Sequence, residues 1–460
     1  MEGLRNGPVV ATEIGRSRAE PAHSRGAAGR PSNIRLSVAV MIFLVTVINF
    51  SDRGVFGAVG PALIDNFHLT TAQFGMIGGA FGFGYVLSTF LGGLTLRLCG
   101  GPKRVYVLFV SAWSIALGAT AFATGYVSLL AFRVLFGFCE GVIFPSSQAM
   151  AGRWFPPQER GRIAAWCLTL GQPVGPLIAT PTAVAMSTAF GWRVPFFVWM
   201  VIGLLWACAA WRLLANDPRQ HARVDRNELD AIGEAQAGGG VSAAQILLNP
   251  YLWVSGLCFF ASAYVLYFLL TFFPVYLVQA RHIQYSQVGF IGDVPFLGLA
   301  AGALLAGWAL DKLWQRTGGN MYVSRTLLAA GSQLMAGLIF VLVVVTAAPT
   351  AGILAMIFWA ALFAYAANPV FFALPMDVMP RHAGMAGALV TGIGSSAGIF
   401  APIITGELVQ LTGSYASAIL VVAGIPIVSS IVLILFDPIG RLARQQARLD
   451  GTLAVANPVP

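Results

Sequence analysis

The chain has 460 residues, of which 57% are hydrophobic and only 10% are charged, and its mean hydropathy is +0.76. These values lie outside the range of soluble domains, so the sequence predicts a membrane protein with many spans. The net charge is +9, and the topology described below accounts for it without a nucleic-acid partner.

Twelve apolar runs are long enough to cross about 30 Å of hydrocarbon as helices. Several are longer than a perpendicular crossing requires, which indicates tilt or bending at internal glycines and prolines. The predicted fold class is therefore an all-α membrane protein with twelve transmembrane helices, named spans one to twelve. Their approximate ranges are 36–63, 72–98, 104–124, 127–150, 163–187, 192–214, 252–279, 287–313, 323–346, 350–376, 384–411 and 415–436.

Positive charge is unevenly distributed between the two ends of the spans. All but four of the 27 Lys and Arg residues fall in segments predicted to be cytoplasmic, and the exceptions are Arg53, Arg133, Arg193 and Arg281. Because cytoplasmic loops are enriched in Lys and Arg, both termini are predicted to be cytoplasmic. Residues 1–34 lack an apolar core with a cleavage site, so we interpret them as a disordered tail, and residues 437–460 as a second tail.

Residues 215–249 are polar, charged and glycine-rich, and they separate the first six spans from the last six. We interpret this segment as a cytoplasmic linker between two six-helix bundles, residues 35–214 and residues 250–436.

The two halves resemble each other when one is shifted by 223 residues. Gly171 then aligns with Gly394, and Gly175 aligns with Gly398. Pseudo-symmetric six-helix halves around a central cleft are typical of transporters that bind their substrate near the middle of the membrane.

Short motifs occur in a fixed order along the chain after residue 35. They are "INFSDR" in span one, Tyr85 in span two, "WS" at 113–114, "RVLFGFCEGVIFPSS" from Arg133, "RWFPPQERGR" from Arg153, "GWRVPFFV" from Gly191, "FPVYL" from Phe273, and "AGIFAP" and "GELVQLTGSY" in the last third. Their order and spacing resemble the major facilitator superfamily and, within it, the anion:cation symporter family, which includes sialin and bacterial sugar-acid, glucarate and phthalate transporters. The resemblance implies a monomeric secondary transporter that works by alternating access. The absence of an extended glycosylated loop between spans one and two favours a bacterial inner membrane.

The chain departs from the superfamily pattern in its gating loops. The loop after span two resembles G-x-x-x-D-R-x-G-R-R, but Arg97 occupies the position of the aspartate. The second-half equivalent keeps Asp311, followed by Lys312. The resemblance implies that these three residues take part in gating, with an altered salt bridge in the first half. Family members also often carry Asn in span eleven, where this chain has Thr391 and Ser395, which leaves the substrate open.

Charged residues inside the apolar spans are the strongest candidates for function, because a charge in mid-membrane is costly and usually faces a cavity. Arg53 offers a planar guanidinium that matches a carboxylate, so we expect it to bind an anion. The alternative is that Arg53 only reaches the outer membrane surface. Asp52 points about 100° away from Arg53 on a helix and is a candidate proton carrier. Its alternative is a permanent ion pair with an Arg of a neighbouring helix.

Span four supplies two further charged residues on one helical face, Arg133 and Glu140. If they converge with Asp52 and Arg53, the cluster is neutral when empty. An incoming carboxylate and a proton then each lower the electrostatic cost of binding the other, which is the basis of symport. A purely structural ion-pair network is the alternative.

Polar residues suited to binding hydroxyl and carboxylate groups occur in five other spans. They are Tyr85, Gln172, Tyr264, Tyr267, Asn368, Ser395 and Ser396. Asp293 in span eight is not expected at its position, and the sequence leaves open a helix break, a third titratable acid or a selectivity role.

No phosphate-binding loop, metal-spaced His or Cys cluster or nucleophile motif occurs in the sequence, so we expect no enzyme activity, cofactor or metal. The leading hypothesis is proton-coupled import of a small organic anion such as a sugar acid. The alternatives are exchange of two organic anions and drug:proton antiport. A cationic drug would gain nothing from Arg53.

Overall fold

The computed structural model describes residues 33–156, 159–160, 163–232, 246–318, 320, 322–346, 348–372 and 383–436. This part of the chain forms helices and turns and contains no β-strand. Ten of its helices are long and apolar enough to cross a membrane, and spans three and five complete the predicted twelve. The all-α fold with two pseudo-symmetric six-helix bundles is thereby confirmed, whereas the predicted tails lie almost entirely outside the described residues.

The helices of the first half are Ile34–Ala58 with Gly60–Phe67 (span one), Thr71–Leu98 (two), Pro102–Thr120 (three), Tyr126–Glu140 with Ile143–Trp154 (four), Ala164–Leu170 with Gly171–Phe190 (five) and Val194–Leu213 (six). The helices of the second half are Pro250–Thr271 with Phe273–Gln279 (seven), Val288–Ile291 with Val294–Arg316 (eight), Tyr322–Leu327 with Leu328–Val345 (nine), Thr350–Ala366 (ten), Ala383–Ser395 with Ala397–Thr412 (eleven) and Tyr415–Phe436 (twelve). In the described part of the linker, Pro218–Gln220 forms a 3-10 turn and Arg226–Ile232 forms a short α-helix.

Three of the breaks in the spans occur just before prolines. Span one breaks at Val59, two residues before Pro61, and span seven breaks at Phe272, two residues before Pro274. Span eight breaks before Pro295. Proline lacks a backbone N–H and clashes with the preceding helical turn, so each break lies where the helical ladder cannot continue.

Equivalent helices pack in the same pairs in both halves, since span one lies against span five and span seven against span eleven. The aligned glycines lie in these contacts. A methyl group added at Gly175 would lie 2.7 Å from the Ser51 nitrogen, and one added at Gly398 would lie 2.8 Å from the Tyr267 ring. Small residues let the paired helices approach closely, which explains why the repeat preserves them.

The two halves meet on both sides of the centre. At the end remote from the linker, called the distal end, a methyl group added at Gly57 would overlap the carbonyl oxygen of Leu270. Toward the linker, the rings of Phe144 and Phe372 stack with centroids 6.0 Å apart. A cavity lies between these contacts.

The linker helix docks on the first half. The Glu228 carboxylate is buried and accepts hydrogen bonds from the backbone N–H groups of Ile34 (3.3 Å) and Arg35 (2.8 Å). Arg35 also pairs with Glu159 at 3.2 Å. The first N–H groups of a helix lack partners within the helix, so Glu228 stabilises the start of span one.

Candidate functional site

Arg53 lies in the buried middle of span one and is 4% exposed. Its Nε lies 3.2 Å from Glu140 Oε2 of span four, and a second nitrogen donates to Asn49 Oδ1 at 2.9 Å. The third nitrogen donates to the Tyr267 hydroxyl of span seven at 2.9 Å. The guanidinium therefore connects three helices and both halves, and it does not extend to the membrane surface.

Aromatic rings surround the same guanidinium. Its central carbon lies 4.3 Å from the ring centre of Phe50, 4.6 Å from that of Tyr85 and 4.9 Å from that of Phe81. Ring faces attract cations while excluding water, so they hold Arg53 in a dry site where its charge acts strongly on a bound anion.

Of the four charged residues that the sequence analysis groups together, Arg53 and Glu140 form a salt bridge, and Arg133 forms none within the described part of the chain. Glu140 is fully buried, pairs with Arg53 through one oxygen, and its other oxygen has no hydrogen-bond partner among the described residues. The Arg133 guanidinium lies 4.1 Å from the Phe56 ring centre and 4.7 Å from that of Phe81. Its Nε and one terminal nitrogen have no hydrogen-bond partner in the described part of the chain.

Asp52 faces span three, away from Arg53, as helical geometry predicted. Its Oδ2 accepts a hydrogen bond from Trp113 Nε1 at 3.0 Å, and its Oδ1 has no partner among the described residues. Within the described part of the chain Asp52 takes part in no salt bridge, so the alternative of an ion pair with an Arg of a neighbouring helix is not seen in this conformation. The carboxyl group is held by a neutral donor, which can bond it in either protonation state.

A cavity of about 20 Å³ lies between the halves, beside Arg53. It has room for about one or two water molecules. Its lining residues come from both halves and are Phe50, Arg53, Tyr85, Phe144, Gln172, Phe259, Ala263, Leu266, Tyr267, Asn368, Thr391 and Ser395. The space is too small for a sugar acid, so binding requires the halves to separate.

Five of the seven predicted polar residues line this cavity, and two do not. Tyr264 is buried beside Phe260, with ring centres 5.9 Å apart. Ser396 donates to the Ile393 carbonyl at 2.6 Å, because it sits at the break in span eleven. Tyr264 and Ser396 do not line this cavity, so their role in substrate binding stays a prediction.

Sequence reasoning missed Asn49, Trp113 and Tyr365. Asn49 precedes Arg53 by four residues, a spacing at which helical side chains meet, so this contact had a readable signal. Tyr365 donates to Gln172 Oε1 at 2.7 Å, and this bond joins the two halves beside the cavity. Neither the Tyr365 contact nor the Trp113 contact has a sequence signal, because each depends on how distant helices are placed.

The predicted gating residues form no ion pair within the described part of the chain. Arg97 and Asp311 are exposed, and the Lys312 ammonium lies 4.3 Å from the Trp308 ring centre. Asp293 is 9% exposed and lies in the break of span eight, beside Thr180 of span five. It therefore lies at the contact between the halves on the distal side, apart from the Arg53 cavity.

The chain is similar to known transport proteins in sequence and in fold. The model of the Major Facilitator Superfamily matches residues 42–402. The hexuronate transporter of Bacillus subtilis (strain 168) is 30% identical over 411 residues, which cover 88% of this chain and 95% of that protein. The D-galactonate transporter of Escherichia coli O6:H1 is 29% identical over 428 residues, which cover 89% and 96% of the two chains.

The crystal structure of a bacterial homolog of the human lysosomal transporter Spinster, inward-facing and unoccupied, is also similar. It matches with a TM-score of 0.67 at 19% identity and covers 92% of this chain and 99% of that chain. At this identity the match shows the fold alone. The family match and the relatives agree with the predicted resemblance: the chain belongs to the Major Facilitator Superfamily, is related to its sugar-acid transporters, and is a membrane transport protein and not an enzyme.

Proposed function

We propose that this protein imports a small organic anion, of the sugar-acid or a related carboxylate class, together with protons. The observation that carries the proposal is Arg53, a buried guanidinium that lines the cavity between the halves and contacts both of them. A guanidinium can bind a carboxylate through two parallel hydrogen bonds. The hexuronate and D-galactonate transporters among the relatives support the substrate class.

Coupling to protons follows from the partner that Arg53 already has. A substrate carboxylate arriving at Arg53 would share one guanidinium with Glu140. Two neighbouring carboxylates repel each other, so protonation of Glu140 favours substrate binding, and substrate favours protonation. Asp52, one residue from Arg53 and held by Trp113, is the second proton site in this proposal.

Substrate binding would also loosen the contact between the halves. Tyr267 now occupies one nitrogen of Arg53, and a bound carboxylate competes with this hydroxyl. Displacement of Tyr267 removes a hydrogen bond that joins the halves, which links binding to alternating access. The functional unit is one chain in a bacterial inner membrane, with both termini cytoplasmic.

Uptake by reconstituted protein tests this proposal. Proteoliposomes should accumulate labelled glucuronate or galactonate when the outside is made acidic. Arg53→Gln should abolish uptake and binding, whereas Arg212→Gln should leave both intact, because Arg212 is exposed at the end of span six.

Three outcomes would contradict the proposal. Unchanged anion affinity in Arg53→Gln would remove the anion site. Uptake that ignores the pH gradient but requires an anion inside the vesicles would indicate exchange. Proton-driven efflux of cationic drugs, without sugar-acid uptake, would indicate antiport.

A further inference from the structure

Among the second-half residues that line the cavity, two have a buried polar atom that lacks a partner in the described part of the chain. These atoms are Asn368 Oδ1 and Thr391 Oγ1, on side chains that are 1% and 4% exposed. Both residues line the same cavity as Arg53. Buried polar groups are nearly always hydrogen-bonded, so unpaired ones that face a binding cavity are candidates for ligand contact.

The neighbouring hydrogen bonds determine which Asn368 atom is available. Tyr365 donates its hydroxyl proton to Gln172 Oε1 at 2.7 Å, so it has no proton left for the Asn368 oxygen. A phenol oxygen can accept only from the amide nitrogen. The Asn368 amide oxygen is therefore the unpaired atom, and it can bond only to a donor.

Charge is confined to one side of the cavity. Among the described lining residues, only Arg53 is charged, and the second-half residues near it are neutral. A second carboxylate on the substrate would have no cation to pair with on that side. It would also meet the Asn368 oxygen, an acceptor that repels another acceptor.

We propose, on the basis of the proposed function, that the site selects sugar monocarboxylates and rejects dicarboxylates of the same length, because Arg53 of the first half and the Asn368 amide oxygen of the second half line one cavity. Arg53 binds the single carboxylate. The Asn368 oxygen accepts a hydrogen bond from a hydroxyl near the other end of the sugar chain. Thr391, which can donate and accept, bonds a neighbouring hydroxyl.

The test compares ligands that differ only at one end. Gluconate and glucarate have six carbons each, but glucarate carries a second carboxylate where gluconate has a hydroxyl. Hexanoate has one carboxylate and no hydroxyls. Titration of the full-length protein in lipid nanodiscs should give at least about tenfold tighter binding of gluconate than of either other acid, since one unpaired buried group accounts for about that factor.

Variants assign the selectivity to residues. Asn368→Leu and Thr391→Val should each weaken gluconate about tenfold or more and leave hexanoate nearly unchanged, which reduces the preference between them. Thr412→Val is the matched control in span eleven, because Thr412 is exposed at the end of that span and does not line the cavity.

The outcomes separate this inference from the function on which it rests. If glucarate binds as tightly as gluconate, and Arg53→Gln abolishes both, the anion site stands and the selectivity inference is overturned. If neither sugar acid binds, both are overturned. Equal loss of gluconate and hexanoate in Asn368→Leu and Thr391→Val would indicate a structural role for these residues and would also overturn the assignment.

Discussion

The two walls of the central cavity differ in charge. In the described spans, the first half buries four ionisable groups with formal charge, Asp52, Arg53, Arg133 and Glu140, whereas the second half buries one, Asp293, which lies outside the cavity. The second half instead presents neutral hydroxyl, phenol and amide groups. Helices related by the same repeat thus carry different chemistry, so the fold alone does not determine the site.

This difference indicates a division of roles between the halves. Charge on the first half suits binding of the anion and the proton, and neutral donors and acceptors on the second half suit recognition of hydroxyls. A ligand that bonds both walls is needed to hold the halves in a new arrangement. Variants on each side of the cavity test this division.

Neutralising the two buried acids of the first half, Asp52 and Glu140, should abolish proton coupling but not anion transport. In Asp52→Asn with Glu140→Gln, the internal concentration of labelled galactonate should no longer exceed the external one, because no group remains to carry the proton. Exchange of internal for external anion should survive, since Arg53 is intact. Asp65→Asn, an exposed acid of the same span, is the control, and proton-driven accumulation by the double variant would refute the assignment.

Closure at the distal end should fail when Gly57 is enlarged. A methyl group there overlaps the Leu270 carbonyl. Overpacking of this kind costs about 1–3 kcal/mol, which lowers the equilibrium constant for closure roughly 5- to 150-fold. Gly57→Ala should therefore slow uptake by about that factor. Gly331→Ala has open space around it and should transport normally. Normal transport by Gly57→Ala would show that the distal contact does not limit the cycle.

Arg133 should affect the rate more than the affinity. It does not line the cavity, and the rings of Phe56 and Phe81 hold its guanidinium. Arg133→Gln loses the cation–π contact with these rings, which contributes about 0.5–2 kcal/mol, so the uptake rate should fall several-fold. The Kd for the anion should change little, because Arg133 does not line the cavity. Arg133→Lys should recover part of the rate. A loss of affinity as large as in Arg53→Gln would place Arg133 in the binding site.

Asp293 should produce the smallest effect, seen only in the pH dependence of transport. An ionised Asp293 carboxylate needs water around it, and closure of the contact with Thr180 excludes that water. Acid outside protonates Asp293 and should therefore favour closure. Span five offers no ionisable side chain between Gly171 and Phe190 to pair with it. Asp293→Asn should flatten the dependence of the uptake rate on external pH, whereas Glu407→Gln, an exposed acid of the same half, should not. An unchanged profile would make Asp293 a helix-break residue only.

Composition and periodicity predicted the twelve spans, their bends at prolines and the repeat, because lipid imposes long apolar helices and small residues at close contacts. Helical geometry also predicted that Asp52 turns away from Arg53. Helical geometry did not indicate which of Tyr264 and Tyr267 lines the cavity. The two residues are three apart on one helix, and the answer depends on how span seven is rotated in the bundle. Similarly, no pattern indicated that aromatic rings, and not Glu140, would hold Arg133.

The bond between Glu228 and the start of span one has a practical consequence. The Glu228 carboxylate bonds the linker helix to the start of span one. We therefore expect the linker helix to move together with the first half. Fluorescent dyes on Arg226→Cys and Arg316→Cys, both exposed and on opposite halves, would report by energy transfer how far the transporter opens, without disturbing the residues that bind its cargo.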